Sequence, residues 1–255
     1  MNPINKTALI TGASAGFGKA TAEILAANGW NLIICGRRKV RLDVLERQLK
    51  EKYKVDVLSL SFDIRFNEEV KKAIATLTDQ WKEIDLLVNN AGLASGFAAI
   101  QEGNTDDWEL MIDTNVKGLL YMTRCIAPMM IARKQGHIIN IGSVAGKEVA
   151  ALGNVYCATK HAVDALTKAM RIELLSHNIK VTQIAPGMAE TEFSIVRFKG
   201  DDERAKNVYK GIEPLHAEDI AETIWWIVSR PPHVNINDIV IMPTAQANAT
   251  TLIRN

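Results

Sequence analysis

Seven short runs of leucine and β-branched residues recur along the chain, separated by longer segments whose apolar residues fall at helical intervals. The runs are TALIT (7–11), NLIIC (31–35), VDVLSLSF (55–62), DLLVNN (85–90), GHIINIGS (136–143), IKVTQIAP (179–186) and INDIVIM (236–242). Near-continuous apolar content over so few residues reads as strands covered on both faces, the situation of a parallel sheet. Segments 18–29, 40–53, 67–81, 111–130, 156–176 and 217–229 read as the covering helices. The alternation predicts an α/β fold: a doubly wound parallel sheet of about seven strands with helices on both faces. No linker, repeat or compositional break divides the 255 residues, so a single domain spanning 1–255 is expected. Segment 187–216 differs, being polar and irregular. It follows the sixth strand at the sheet edge where such folds bind ligands, and is expected to be a mobile cover over a substrate.

The bulk properties exclude several function classes. A formal charge of +1 argues against a broad footprint for nucleic acid or anionic membrane. Cys35, Cys125 and Cys157 are scattered and odd in number, which fits a reducing cytoplasm rather than a disulfide framework. His137, His161, His177, His216 and His233 show no ligand spacing, so no metal is expected. No apolar run is long enough to span a bilayer, and MNPINKTALITG lacks the features of a leader peptide. The expected partner is a small molecule, with no nucleic acid and no membrane.

The first strand runs into TGASAGFGKATA (11–22), with Gly12, Gly16 and Gly18 at the turn into a helix around Ser14 and Phe17. Glycines allow close backbone approach there, and the helix start offers unpaired N–H groups and a positive dipole end to a pyrophosphate. The spacing is G-x-x-x-G-x-G rather than G-x-G-x-x-G. Dinucleotide sites for NAD place an acid near the end of the second strand to bind the ribose 2′-hydroxyl. Here the strand ends in Gly36, Arg37, Arg38 and Lys39. Guanidinium groups suit a 2′-phosphate, so NADP(H) is expected over NAD(H), a solvated cluster being the alternative. Asp63, with Ile64 beside it, is placed to contact adenine, and Asn90, Ala91 and Gly92 of NNAG are placed to line the cleft. Tyr156 and Lys160 in VYCATK lie one helical turn apart, where their side chains reach one point. Taken alone, that spacing is also an ordinary amphipathic face.

In combination these features resemble the short-chain dehydrogenase/reductase family, which has a Rossmann-type fold. The resemblance is carried by TGASAGFG, NNAG, Asn115 in DTNVKG, Ser143 in INIGS, YCATK, and Pro186–Gly187, in that order along almost the whole chain. The 13-position interval from Ser143 to Tyr156 also fits. The resemblance implies catalysis by Asn115, Ser143, Tyr156 and Lys160. Tyr156 exchanges the substrate hydroxyl proton, and Ser143 bonds the substrate oxygen. Lys160 holds the nicotinamide ribose and lowers the phenol pKa, helped by oxidised nicotinamide. Asn115 supports a water path from Lys160, with a helix-bend role as the alternative. Pro186, Gly187, Met188, Ala189 and Thr191 would face the nicotinamide, its carboxamide bonding the Thr191 hydroxyl and the backbone near Met188 and Ala189.

The segments DDWELMIDTNVKGLLYMTR (106–124), GHIINIGSVAG (136–146), GNVYCATK (153–160), TEFSIVRFKGD (191–201) and PPHVNIND (231–238) are similar to the NADP-dependent 3-hydroxy acid dehydrogenases within that family. That likeness implies a small 3-hydroxy acid, or the matching 3-oxo acid or semialdehyde, as substrate. Arg197 is the expected carboxylate partner, with Lys147 second. Ala189 and KEVAAL (147–152) depart from the pattern and border the pocket. A 3-oxoacyl thioester reductase is the alternative enzyme, and an NADP-binding sensor the non-enzymatic one. The resemblance also implies a homotetramer. The helix around Trp225 and Trp226 and the tail after Pro243 are candidate interface elements, with core packing as the alternative.

Overall fold

The structure, a computed structural model, describes residues 6–255. Residues 1–5, part of the segment read for a leader, lie outside the described residues. The strands are β1 (Thr7–Thr11), β2 (Asn31–Gly36), β3 (Val57–Ser61), β4 (Ile84–Asn89), β5 (Gly136–Ile141), β6 (Ile179–Pro186) and β7 (Asp238–Ile241). The helices are α1 (Gly16–Ala27), α2 (Lys39–Tyr53), α3 (Asn67–Ala75), α4 (Asp79–Lys82) and α5 (Thr105–Ile112). After them come α6 (Leu119–Arg133), α7 (Asn154–Glu173), α8 (Glu192–Arg197), α9 (Asp202–Asn207) and α10 (Ala217–Val228).

All strand pairs are parallel, in the order β3-β2-β1-β4-β5-β6-β7. This is the expected doubly wound, Rossmann-like single domain. Alternation along each buried strand feeds two cores. Ala8, Ile10, Leu32, Ile34 and Val88 pack against α1, α2 and α10, while Leu9, Ile33, Leu87, Ile138 and Val181 pack against α3, α6 and α7. Winding reverses between β1 and β4, so the carboxyl ends of these neighbours part and open a crevice at the switch point.

Several boundaries differ from the sequence reading. The helix expected over 67–81 breaks into α3 and α4, because Thr76 turns its hydroxyl back to the Ala73 carbonyl and competes with the helix ladder. The helix expected from 111 begins at 105, where the Asn104 side chain accepts from the N–H groups of Asp106 and Asp107. From there it continues into α6 through a widened π-helical stretch, Asp113–Gly118. Segment 187–216 contains α8 and α9, started by the side chains of Thr191 and Asp201, rather than irregular chain alone.

Below the crevice a buried polar ladder joins the sheet to two helices. Asn89 Nδ2 donates to Thr123 Oγ1 (3.0 Å) and Asn140 Oδ1 (2.9 Å), and Asn140 Nδ2 donates to Thr167 Oγ1 (2.9 Å). Asn140 is fully buried, so truncation leaves both a cavity and unpaired amide groups. Asn140→Ala should lower the unfolding free energy in urea by about 2–3 kcal/mol. A loss below about 0.5 kcal/mol would show that the ladder does not tie β4 and β5 to α6 and α7.

Candidate active site

The crevice is a cleft of ≈ 610 Å³ lined from the carboxyl ends of β1 to β6. At its floor Asn90 ties β1 to β4: its backbone N–H and that of Ala91 donate to Thr11 Oγ1 (3.0 Å each), and its amide donates to the Thr11 carbonyl (2.8 Å). Gly12, at φ +68°, makes this contact possible, since a Cβ there would lie 2.9 Å from Asn90 Nδ2. At the start of α1, Ala15 is extended and gives no side-chain cap, and the first turn holds no acidic residue. With Gly16 and Phe17 lining the cleft, these N–H groups are left for an anion, as a dinucleotide pyrophosphate requires.

The other expected cofactor residues line the same space: Ser14, Arg37, Arg38, Asp63, Ile64, Gly92, Pro186, Gly187, Met188, Ala189 and Thr191. Gly18 does not line it; it packs beneath, where a Cβ would meet the Gly12 carbonyl at 2.5 Å. Two of these residues already have protein partners. Asp63 is already gripped by Arg65, whose Nε and Nη2 reach Oδ2 at 2.9 and 2.7 Å. The Met188 N–H, expected to face the nicotinamide carboxamide, is spent on Gln246 Oε1 at 2.8 Å. Thr191 Oγ1 accepts from the Phe193 N–H (3.1 Å) and keeps its own hydrogen to donate. Thr114, buried on the cleft wall, has a hydroxyl without a partner among the described residues, a further fit to a polar guest.

At the reaction end Ser143, Tyr156 and Lys160 converge. Ser143 Oγ accepts from the Ala145 N–H at 3.1 Å, so it is a strand-end cap as well as a cleft hydroxyl. Asn115 Nδ2 donates to the Leu93 carbonyl (2.8 Å) and Thr159 Oγ1 (3.0 Å), while its Oδ1 accepts from the Leu93 N–H (2.8 Å). It thus pins the loop after β4 to α7 from within the π-helical stretch. Lys160 Nζ donates to the Ile141 carbonyl at 2.9 Å and lies 5.9 Å from the Tyr156 ring centre.

Burial dominates the electrostatics here. It pushes the Tyr156 phenol up to about 12, against the Ser143 hydroxyl and the Arg197 charge, and pulls Lys160 down to about 8. The expected lowering of the phenol by Lys160 is absent among the protein groups. The ammonium faces the Ile141 carbonyl, and desolvation outweighs the lowering influences that remain. At neutral pH the protein therefore holds Tyr156 protonated, ready to donate.

Arg197 reaches the same end from α8. Its guanidinium sits 4.6 Å from the Phe97 ring centre and 5.9 Å from that of Tyr156. Among the described residues it has no carboxylate partner, and its Nε is buried without a hydrogen bond. Lys147, the second choice, is consumed by Asp164 and Asp238 and does not line the cleft. Sequence reading missed Phe193, Tyr209, Gln246 and Arg254, which also line it. Nothing local marks them; they arrive through α8, the stretch after α9 and the C-terminal segment.

The short chain dehydrogenase family model matches residues 6–202. The chain belongs to that family. It is 47% identical over 242 residues to the NADP-dependent 3-hydroxy acid dehydrogenase YdfG of Salmonella typhi, covering 94% of this chain and 96% of that protein. Serine 3-dehydrogenase of Rhizobium radiobacter is 44% identical over 243 residues, covering 95% and 96%. Among solved structures, the closed form of a serine dehydrogenase complexed with NADP+ superposes with a TM-score of 0.91 at 42% identity, covering 98% of this chain and 99% of that one. The Escherichia coli serine dehydrogenase gives 0.82 at 39%, covering 94% and 99%.

The depressed Lys160 value has a consequence for this family member's stability. The group titrates at about 8 in the folded chain against an ordinary 10.5, so the unfolded chain holds more protons between those values. Stability therefore rises with pH across that window. Relative to Lys160→Met, the wild type should gain about 1–2 kcal/mol of unfolding free energy between pH 7.5 and 9.5 in urea titrations. A pH-independent difference would mean that the ammonium is not desolvated.

Proposed function

We propose that this protein is an NADP(H)-dependent oxidoreductase that moves hydride between the nicotinamide and the 3-position of a small 3-hydroxy acid or its 3-oxo acid or semialdehyde. The observation that carries the substrate class is Arg197, a half-buried cation without a carboxylate, held over the ring of Tyr156. The activities named for the relatives, on 3-hydroxy acids and on serine, support the same class. A 3-oxoacyl thioester would bring no carboxylate to Arg197 at the reacting end. A mere sensor would have no use for a phenol, hydroxyl and amine gathered in one cleft.

The bound cofactor would supply or accept the hydride. Arg37 and Arg38 are proposed to hold its 2′-phosphate, the uncapped start of α1 its pyrophosphate, and Lys160 and Thr191 its nicotinamide end. In carbonyl reduction Ser143 and Tyr156 donate hydrogen bonds to the substrate oxygen, and Tyr156 delivers the proton that its high pKa keeps in place. Alcohol oxidation runs the same transfer backwards. Asn115 positions the wall of the cleft, and Arg197 fixes the substrate carboxylate so that its 3-carbon faces the hydride.

We further propose a cytoplasmic homotetramer. The three thiols are unpaired. Trp226 is 45% exposed and Ile172 77%, apolar surface that self-association would cover, while Trp225 packs against the core. Light scattering that reports a monomer would remove the assembly.

Tyr156→Phe should bind NADPH as the wild type does, yet lose about 10²–10⁴-fold in kcat with malonic semialdehyde. Undiminished turnover would remove Tyr156 as proton carrier. Arg197→Ala should raise KM for the acid by about tenfold or more while leaving a matching uncharged aldehyde within about twofold. Equal effects on both substrates would end the carboxylate role.

A further inference from the structure

The proposed function does not account for one ion-pair cluster at the cleft mouth. Glu192, the first residue of α8, reaches across to the second strand's helix. Its Oε2 accepts from Arg38 Nη1 and its Oε1 from Arg41 Nη1, each at 2.6 Å. Arg38 Nε also donates to Ser14 Oγ at 3.0 Å, which fixes its head beside the glycine-rich turn. Arg37 stands apart, 4.0 Å from Asp63. Among the described residues Glu192 is the only carboxylate paired with Arg41.

Two guanidinium groups closing on two oxygens of one anion is the donor arrangement that a phosphate monoester also satisfies. The three side chains are 41–50% exposed, so the carboxylate pairs are weak and exchangeable. A phosphate monoester carries up to about two negative charges against one for Glu192, so it outcompetes the carboxylate for the same pair of cations.

We propose that Arg41 joins Arg37 and Arg38 in the subsite for the adenosine 2′-phosphate, and that Glu192 occupies the Arg38–Arg41 side of it as an internal anion which the phosphate displaces. This rests on the NADP(H) reading and adds two things to it: Arg41 becomes a phosphate-binding residue, and Glu192 becomes a competitor that lowers affinity for the phosphorylated cofactor. A cofactor with a free 2′-hydroxyl has nothing with which to displace Glu192. The two residues therefore act on NADPH and leave NADH nearly untouched.

The test is direct titration of NADPH and NADH fluorescence at low salt for wild type, Glu192→Gln and Arg41→Ala, with far-UV circular dichroism as the folding control. Glu192→Gln keeps the size of the side chain and removes its charge. It should tighten NADPH binding by about threefold or more, with NADH within about twofold of wild type. Arg41→Ala should weaken NADPH by about fivefold or more, again sparing NADH. NADPH affinity unchanged or weakened in Glu192→Gln overturns the competition, because the carboxylate would then be idle or a clasp over the bound cofactor. A loss in Arg41→Ala shared equally by NADH overturns the phosphate role. Wild type that holds NADH as tightly as NADPH would instead remove the cofactor reading itself.

Discussion

Parallel strands must all end on the same edge of their sheet, and the site depends on that geometric fact. Backbone pairing from β3 through β7 brings the residues after β1, β2, β3, β4, β5 and β6 to one side. The reversal of winding at β1 and β4 then keeps two neighbouring loops from covering each other. Asn90 closes the base of the gap by bonding back to Thr11, so the opening is held apart by hydrogen bonds rather than left slack. The glycine-rich turn, the arginines, Ser143 and the α7 pair are thereby gathered without any one segment supplying them all.

Charge is distributed unevenly along the cleft. Its end beside the glycine-rich turn is crowded with guanidinium groups, each already answered by a carboxylate or hydroxyl: Arg38 and Arg41 by Glu192, Arg38 also by Ser14, and Arg65 by Asp63. The reaction end is drier and sparer. There a phenol and an amine are both desolvated, one raised and one lowered, and a single arginine stands over aromatic rings without a counter-ion. Desolvation strengthens any charge that a guest brings to such a place, which is the condition for orienting a small anion and moving one proton.

The fold was legible because its signal is repeated: seven apolar runs, each confirmed as a strand by its neighbours in the alternation. The proposed reacting residues were legible only through the family resemblance, because the Tyr156–Lys160 spacing alone is also that of an ordinary amphipathic face. Other parts carried no local mark. Gln246 takes the Met188 N–H from the far end of the chain, and Glu192 crosses the cleft to a helix more than a hundred positions away. The direction in which the protein groups shift Tyr156 carries no local mark either. Adjacency on a helix fixes where two side chains can meet, but burial by surrounding elements acts on their protonation, and here burial pushes the phenol up while the Lys160 ammonium faces the Ile141 carbonyl.

The amino-acid order by itself determined the layered sheet, the glycine turn and the basic end of the second strand, since each depends on residues within one or two adjacent elements. Tertiary structure alone decided which cation is free and which is spent. Lys147 and Arg197 are equivalent as letters, yet packing places two aspartates against the first and none against the second. Pairing and desolvation are set by whatever the fold brings within a few ångströms, and that information is spread over the whole chain.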